Sequence, residues 1–338
     1  MRELLLYLFL FFALILNAQI TPVEYPNLVV NGDFEEYNFC PDGVDGILME
    51  ACIGWSSPIR TTPDYYHPCN CELPWSGNVV CVPNNMVGNQ NAKSGVAYAG
   101  IVAWNNYDSG QGLKVWIEYL QGTLAENLTL NKIYKIEYFL SHTDSFSFAT
   151  SRIGISFSEL KRWVPTQSGM NFSPDLINKT DRHYFDTINW MQFSGYYIAK
   201  GNEKYFIIGN FETDEFHPDT MRIRYSSFSD AESSYYYIDD VSIRYTGLEI
   251  IAPNVFTPNG DGVNDYVNFA IYGEGILSNV KVYNRWGKLV FEGYNNNALW
   301  DGTYNNRDCP EGTYYYIITL ETSSGEKIEA KSSLFLLR

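Results

Sequence analysis

A short acidic, glycine-rich segment near residue 260 has the spacing of a cation-binding loop. Side-chain oxygens recur at Asn259, Asp261 and Asp265, and a backbone carbonyl is available at Val263. Alternating oxygens on a Gly-rich turn are similar to the first half of a calcium loop, but the bidentate Glu that completes such a loop is missing. Asn, Asp and Gly also supply the dihedral angles of a tight turn. The segment therefore predicts a turn, with a calcium loop as the alternative.

The cysteines are concentrated in one stretch of the chain. Cys309 stands far from the other five, which are Cys40, Cys52, Cys69, Cys71 and Cys81. In an exported protein such cysteines are disulfide candidates, although Cys69 and Cys71 lie too close in sequence to pair with each other. We expect two bridges and one spare thiol, with no connectivity assigned. A zinc site that combines His67, Cys69 and Cys71 with another cysteine is the alternative.

Several aromatic side chains lie in Gly- and Asn-rich segments, where they could stack on sugar rings. In such sites an aromatic face covers a pyranose ring, and nearby amides and carboxylates bind the hydroxyls. The candidates are Trp75, Trp104, Tyr107, Tyr65 and Tyr66. Aromatic residues make up 16% of the chain, so core packing is the alternative for each of them.

Motifs for catalysis are absent from the sequence. It has no HExxH, no G-x-S-x-G nucleophile elbow, no P-loop and no dinucleotide fingerprint. The 39 carboxylates could still place two acids at the separation that glycoside hydrolysis needs, but nothing in the sequence marks which two. We therefore expect a protein that is not an enzyme.

Composition and charge restrict the partners. The net charge is -16, so the chain repels the phosphates of nucleic acid. Hydrophobic residues account for 45% of the chain and charged residues for 18%, which is enough apolar material for a core. The 27 tyrosines and 20 phenylalanines favour β-strands.

The first residues predict an export signal. Leu4–Leu16 is an unbroken apolar run, too short for a membrane-spanning helix and typical of the central part of a signal peptide. We expect a signal peptide over residues 1–18, cleavage after Ala18, and no transmembrane segment in the mature chain. An N-terminal membrane anchor is the alternative.

The remaining sequence predicts an all-β protein of two domains. Period-two alternation marks strands at Lys132–Leu140, Arg152–Phe157 and Lys204–Gly209. Residues 40–95 lack alternation and are rich in Cys, Pro, Gly and Asn, which predicts a disulfide-tied excursion from the β framework. We place the domain boundary in a short linker at Thr246–Glu249, so the domains should lie close together.

The last 90 or so residues carry four ordered sequence blocks. They are PNVFTPNGDGVND at Pro253–Asp265, VKVYNRWGKLVF at Val280–Phe291, WDG at Trp300–Gly302 and CPEGTYYY at Cys309–Tyr316. Residues 250–338 therefore resemble the gliding-motility-associated C-terminal domain, the type B sorting domain of type IX secretion. The resemblance implies a small Ig-like β-sandwich that the outer-membrane translocon recognises, and possible dependence on a dedicated outer-membrane partner protein. It also implies delivery through the periplasm to the cell surface or the medium.

Two short segments mark the ends of the larger domain, residues 20–247. They are NLVVNGDFE at Asn27–Glu35 and YIDDVSI at Tyr237–Ile243. The pair is similar to the first and last strands of galactose-binding-like and carbohydrate-binding jelly rolls, and other interior segments resemble an N-terminal domain of Bacteroidetes surface proteins. The jelly-roll resemblance implies a structural calcium, and its ligands here would be Glu35 and Asp239, with Asp33 or Asp240 as helpers.

Three functional hypotheses follow. The first is a secreted or cell-surface binding protein whose larger domain engages glycan or another surface component. The second is a structural or adhesive component of the gliding or surface apparatus without a small ligand. The third is a glycoside hydrolase with an unrecognised acid pair. The absence of catalytic motifs favours the first two over the third.

Overall fold

The computed structural model describes most of the chain. The described residues are 24–42, 48–72, 77, 79–105, 116–166, 170, 173–178, 182–211, 220–223, 233–296, 298–322, 325 and 327–338. The predicted signal peptide and the candidate side chains of Trp75 and Tyr107 lie outside them. In this part of the chain no helix is long and apolar enough to cross a membrane.

β-Strands are the main regular structure of the described residues, which confirms the predicted all-β class. The helices among these residues are short: α1 (Leu48–Ala51) has four residues, and a 3-10 helix spans Pro68–Glu72. The strands up to residue 251 are β1 (Trp55–Ser56), β2 (Asp64–Tyr66), β3 (Asn84–Asn85), β4 (Gly88–Asn89), β5 (Tyr98–Asn105), β6 (Tyr119–Thr123), β7 (Lys132–His142), β8 (Phe148–Thr150), β9 (Ile153–Ser158), β10 (Leu176–Ile177), β11 (Met191–Ile198), β12 (Tyr205–Asn210), β13 (Thr220–Arg222) and β14 (Ser233–Ile251).

A second group of strands follows and ends close to residue 338. They are β15 (Val255–Phe256), β16 (Val267–Tyr272), β17 (Gly275–Asn284), β18 (Leu289–Gly293), β19 (Ala298–Trp300), β20 (Thr303–Tyr304), β21 (Arg307–Asp308), β22 (Gly312–Thr322) and β23 (Lys327–Leu336). The sheet β15-β23-β22-β17-β18 forms one layer of this region.

The earlier strands form two packed sheets, which we call the N-terminal sandwich. One sheet has the order β1-β6-β12-β9-β10, and the other contains β11, β7, β14, β5 and β2. In β7 the buried side chains of Ile136, Tyr138 and Leu140 alternate with Lys135, Glu137 and Phe139 on the other face. The core between the sheets is strongly aromatic; the rings of Phe157 and Tyr197, for example, stack at 4.3 Å. The alternation therefore separates a packed face from an outer face.

The expected linker at Thr246–Glu249 is wrong, because these residues lie inside β14. The strand pairs with β5 and β7, and its last residues, Glu249–Ile251, pair with β16. One hydrogen-bonded sheet, β11-β7-β14-β16-β19, thus runs from the N-terminal sandwich into the C-terminal region. Gly247 has a φ of 80°, and the pairing with β7 shifts register between Tyr245 and Glu249. An irregularity of this kind bends a strand without ending it.

The cysteine-rich stretch contains the predicted two bridges and a spare thiol. Cys40 pairs with Cys69 and Cys71 with Cys81, while Cys52 is buried and unpaired. Cys69 and Cys71, the two named cysteines of the zinc alternative, are therefore disulfide-bonded. The stretch is less of an excursion than predicted, because β1 pairs with β6 and β2 with β5.

Loss of these bridges should destabilise the protein, and the loss grows slowly with the length of the loop that each bridge closes. The bridge from Cys40 to Cys69 spans 29 residues, and that from Cys71 to Cys81 spans 10. In the loop-entropy model, replacing both cysteines of either bridge by alanine lowers the free energy of unfolding by about 3 kcal/mol, slightly more for the longer loop. Urea denaturation of each double variant measures this. Unchanged midpoints for both variants would show that the excursion folds without the bridges.

Candidate binding site

A polar depression lies on the outer face of the sheet that contains β7, β11 and β14. Its volume is about 640 Å³. Glu137 and Phe139 of β7 and Gln192 of β11 contribute to its floor, together with Ser242 and Arg244 of β14. The strand register brings these side chains together, since Gln192 lies opposite Phe139 and Glu137 opposite Ser242. We call this feature the sheet-face depression.

Hydrogen bonds and an ion pair order the floor of the depression. Gln192 donates from Nε2 to Glu137 Oε1 at 2.7 Å, and Lys135 Nζ lies 3.2 Å from the same oxygen. At the rim, Lys93 Nζ lies 4.6 Å from the centre of the Phe139 ring. These contacts hold an amide, a carboxylate and an aromatic ring in fixed positions.

The segment 27–36 forms one wall of the depression by lying along β14. Asn27 fastens it: the side-chain amide donates to the carbonyl of Val241 at 2.9 Å, and Oδ1 accepts the Ile243 N–H at 3.0 Å. A Cβ on Gly32 would lie 2.2 Å from the Val241 carbonyl oxygen, so only glycine permits this approach. Asn31 and Asp33 thereby line the cavity.

The predicted pair of Glu35 and Asp239 meets at one segment of backbone. Glu35 Oε1 accepts the N–H groups of Val96 at 2.7 Å and Ala97 at 2.9 Å. Asp239 Oδ2 accepts the N–H groups of Lys93 at 2.7 Å and Ser94 at 3.4 Å. The two carboxylates therefore fasten residues 93–97, the approach to β5.

The helper residues lie beside this pair and line the depression. Asp240 Oδ1 accepts the Ser94 hydroxyl at 2.6 Å, and Asp33 lies in the opposite wall. In the described residues, no group of three or more His, Cys, Asp or Glu side chains could hold a metal ion. A cation at Glu35 and Asp239 would thus need carbonyl oxygens and water to complete its shell, ligands that Ca²⁺ accepts.

Asp239 is an unusual carboxyl group because it is fully buried. Burial raises its pKa to about 8, and the charge of Asp240 adds to the rise. Backbone N–H donors oppose the shift without cancelling it. Near neutral pH the group therefore lies close to its titration point, and a bound cation would favour its charged form.

The segment at Asn259–Asp265 forms the turn that the sequence predicts. The two oxygens of Asp265 accept the N–H groups of Gly260 at 2.7 Å and Gly262 at 2.8 Å. Asp261 Oδ1 accepts the Val263 N–H at 2.8 Å, and this hydrogen bond is the largest contribution to the lowered pKa of Asp261. These side-chain oxygens therefore bind the loop's own amides.

Two of the proposed sugar platforms are wrong. Tyr65 and Tyr66 are 0% and 1% exposed. The Tyr65 hydroxyl donates to the carbonyl of Phe34 at 2.7 Å, and the Tyr66 hydroxyl lies 2.8 Å from that of Tyr235. β2 is covered on both faces, so neither ring is open to a ligand. Trp104 is half-buried, with its ring 4.9 Å from that of Phe148, and it does not line the sheet-face depression.

Sequence reasoning missed a second acidic pair, Asp64 and Glu118. Glu118 is 3% exposed, and its oxygens accept the Val102 N–H at 2.9 Å and the Trp116 indole N–H at 3.1 Å. Asp64 accepts the hydroxyls of Tyr235 and Tyr66. Burial raises the pKa of Glu118 to about 8, with the charge of Asp64 as the second cause. Burial also raises the pKa of Asp64, to about 6.

The C-terminal region is a small β-sandwich, and comparison with known families identifies it. Residues 250–336 match the CHU_C type IX secretion signal domain. This confirms the sorting domain that the sequence predicts over residues 250–338. The protein is thus exported by the type IX system to the cell surface or the extracellular space, and it interacts with that machinery. Among curated proteins, none matches this chain.

Solved structures similar to the chain come from several kinds of protein. The glycoside hydrolase domain of Endo-D from Streptococcus pneumoniae has 9% identity and a TM-score of 0.21, covering 72% of this chain and 34% of its own. The BSP domain of a biofilm-associated protein has 8% identity and a TM-score of 0.20, and the match covers 70% of this chain and 51% of that structure. The M60 catalytic domain with two CBM51 domains from Clostridium perfringens ZmpB has 9% identity and a TM-score of 0.20, and the match covers 75% of this chain and 20% of that structure.

This chain therefore spans between a fifth and about half of the length of those structures. At such TM-scores the similarities establish neither its fold nor its function. The jelly-roll topology of the N-terminal sandwich stays a prediction.

The buried carboxyl groups predict a stability that falls as pH rises. Their pKa values are about 6 for Asp64 and about 8 for Glu118 and Asp239, whereas unfolded Asp and Glu titrate near pH ~4. Groups with raised folded pKa values contribute stability that is complete below the unfolded pKa and is lost as pH rises through the folded pKa. We therefore expect the thermal midpoint to fall between about pH 5 and about pH 8.5.

The variant Glu118→Gln should flatten this pH dependence, because an amide does not titrate. Its matched control is Glu126→Gln, at an exposed position, which should leave the slope unchanged. Thermal unfolding of both variants across the pH range measures the difference. A slope that Glu118→Gln does not alter would show that this carboxyl group does not titrate in the window.

Proposed function

We propose that the protein is a non-enzymatic surface protein that binds glycan in the sheet-face depression. The combination of Phe139 with Gln192, Asn31 and several carboxylates in one cavity carries the proposal. An aromatic ring covers the apolar face of a sugar, and amides and carboxylates bind its hydroxyls. The volume of about 640 Å³ falls in the usual range of ligand pockets, roughly 300–1,000 Å³.

The charges around the depression favour a particular class of glycan. Four carboxylates, those of Asp33, Glu36, Glu137 and Asp240, line the cavity together with the guanidinium of Arg244, while Lys93 lies at the rim and Lys135 pairs with Glu137. The whole chain carries a net charge of -16, which adds repulsion for anions. The ligand is therefore a neutral sugar or an amino sugar rather than a sulfated or uronic-acid polymer.

The export route supports a role outside the cell. A binding protein delivered to the surface meets glycans of the cell envelope or of the surroundings. In this proposal the sorting domain contacts the outer-membrane translocon, and a dedicated outer-membrane partner protein assists its passage. The alternative, an adhesive component without a small ligand, would leave the depression without a saturable ligand.

The ring of Phe139 provides the sharpest test of the glycan site. Phe139→Ala should weaken binding about tenfold, the loss of about 1.4 kcal/mol expected of one stacking contact. The matched control is Phe185→Ala, which removes a ring that is 57% exposed and outside the depression. A glycan array followed by calorimetry with the best neutral hit measures both. Equal affinity of the two variants, or no saturable binding by the unmodified protein, would contradict the site.

We also propose a structural calcium ion at Glu35 and Asp239. Calcium that binds only the folded chain stabilises it by mass action. At a free calcium concentration of a hundred times the dissociation constant, the free energy of unfolding rises by about 2.7 kcal/mol, and the thermal midpoint rises with it. We expect the midpoint to rise with calcium and fall with EDTA, and we expect Glu35→Gln to abolish the response. Asp261→Asn is the control and should keep it. A response lost only in Asp261→Asn would move the ion to the Asn259–Asp265 turn.

A further inference from the structure

The end of β14 connects the N-terminal sandwich to the sorting domain through hydrogen bonds on both of its edges. Within β14, the Ile250 N–H donates to the carbonyl of Asn131 at 2.9 Å, and the Thr246 hydroxyl donates to that of Ile133 at 2.8 Å. Both acceptors belong to the N-terminal sandwich or its loops. On the other edge of the same strand, Ile250 lies opposite Ile271 of β16. The segment thus has partners on both sides.

A shared hydrophobic core reinforces this ladder. Ile133 of β7 and Ile198 of β11 lie in the same buried cluster as the core of the sorting domain. Leu248, which the sequence places in a linker, is 2% exposed in that cluster. Residues from both sides of the predicted boundary therefore exclude water together.

Glycines of the sorting domain make room for this contact. A Cβ on Gly273 would lie 2.2 Å from the carbonyl oxygen of Gly247, and one on Gly275 would lie 2.9 Å from Leu248 Cδ2. Gly273 also has a φ of 108°, a conformation that other residues rarely adopt. The turn between β16 and β17 is thus fitted closely to the end of β14.

We propose that the sorting domain is a permanent structural part of the mature surface protein and unfolds as one cooperative unit with the N-terminal sandwich. A protease needs an extended, accessible segment, whereas Glu249 and Ile250 have partners on both edges of the strand and Leu248 is buried. Cleavage there would also expose Ile133, Ile198 and Leu248 to water. This inference does not depend on the glycan site.

The first test is the intact mass of the protein recovered from the surface or medium of a type IX-competent culture. We expect a chain that still contains residues 250–338. A recovered chain that ends before residue 250, with its N-terminal sandwich folded, would overturn the proposal. Digestion of the full chain with a glutamyl-specific protease adds a native-state control: the exposed Glu159 should be cut well before Glu249 in β14.

Cooperativity is tested by a cavity in the sorting domain alone. Leu320 is fully buried in the shared cluster, and Leu320→Ala should lower the thermal midpoint of the full chain by roughly 5–15 °C. Hydrogen exchange should then show lost protection in β6 and β12 as well as in the sorting domain. The control, Leu160→Ala, changes a side chain that is 78% exposed and should do neither. Loss of protection confined to residues 250–338, or two separate thermal transitions, would show independent domains.

Discussion

The hydrogen-bond ladder of β14 is the interaction on which the rest of the structure depends. This strand pairs with β5 and β7 in the N-terminal sandwich and with β16 in the sorting domain. Its register with β7 shifts between Asp239 and Ser242, where Asp240 has a φ of 50°. A bulge re-aims successive side chains. Asp239 is consequently buried, while Asp240 opens into the sheet-face depression, so the candidate site and the joint to the sorting domain belong to one strand.

Alternation in the sequence predicted the regular strands well. The predicted strands at Lys132–Leu140, Arg152–Phe157 and Lys204–Gly209 correspond to β7, β9 and β12 to within about two residues at either end. The same reasoning failed at Thr246–Glu249, because a glycine between two strand-like segments resembles a turn. There Glu249 pairs with Lys132 on one edge and Tyr272 on the other, and these partners, which are distant in sequence, continue the strand past the irregularity at Gly247. Local sequence carries no signal of such partners.

The candidate site was predictable only in part. The resemblance of the two terminal segments brought Glu35 and Asp239 together, as the structure does through residues 93–97. It could not show that backbone N–H groups occupy their oxygens. Tyr65 and Tyr66 were misassigned because composition does not reveal a strand covered on both faces. Phe139 had a usable signal, an apolar residue on the otherwise charged face of β7, but its neighbours Gln192 and Ser242 come from strands that only the topology places beside it.

The buried carboxyl groups have a structural explanation in β5. One edge of this strand pairs with β14, and among the described strands the other edge pairs with the three residues of β2. N–H groups beyond that short pairing need acceptors, because an unpaired buried amide costs about as much as a lost hydrogen bond. Glu118 accepts the N–H of Val102, and Glu35 accepts those of Val96 and Ala97. Asp239 accepts the N–H of Lys93, which comes just before them. Carboxylates thus replace a missing strand, and burial raises the pKa values of two of them, Glu118 and Asp239. These acids therefore help to hold β5 in the sheet that also contains β7 and β14.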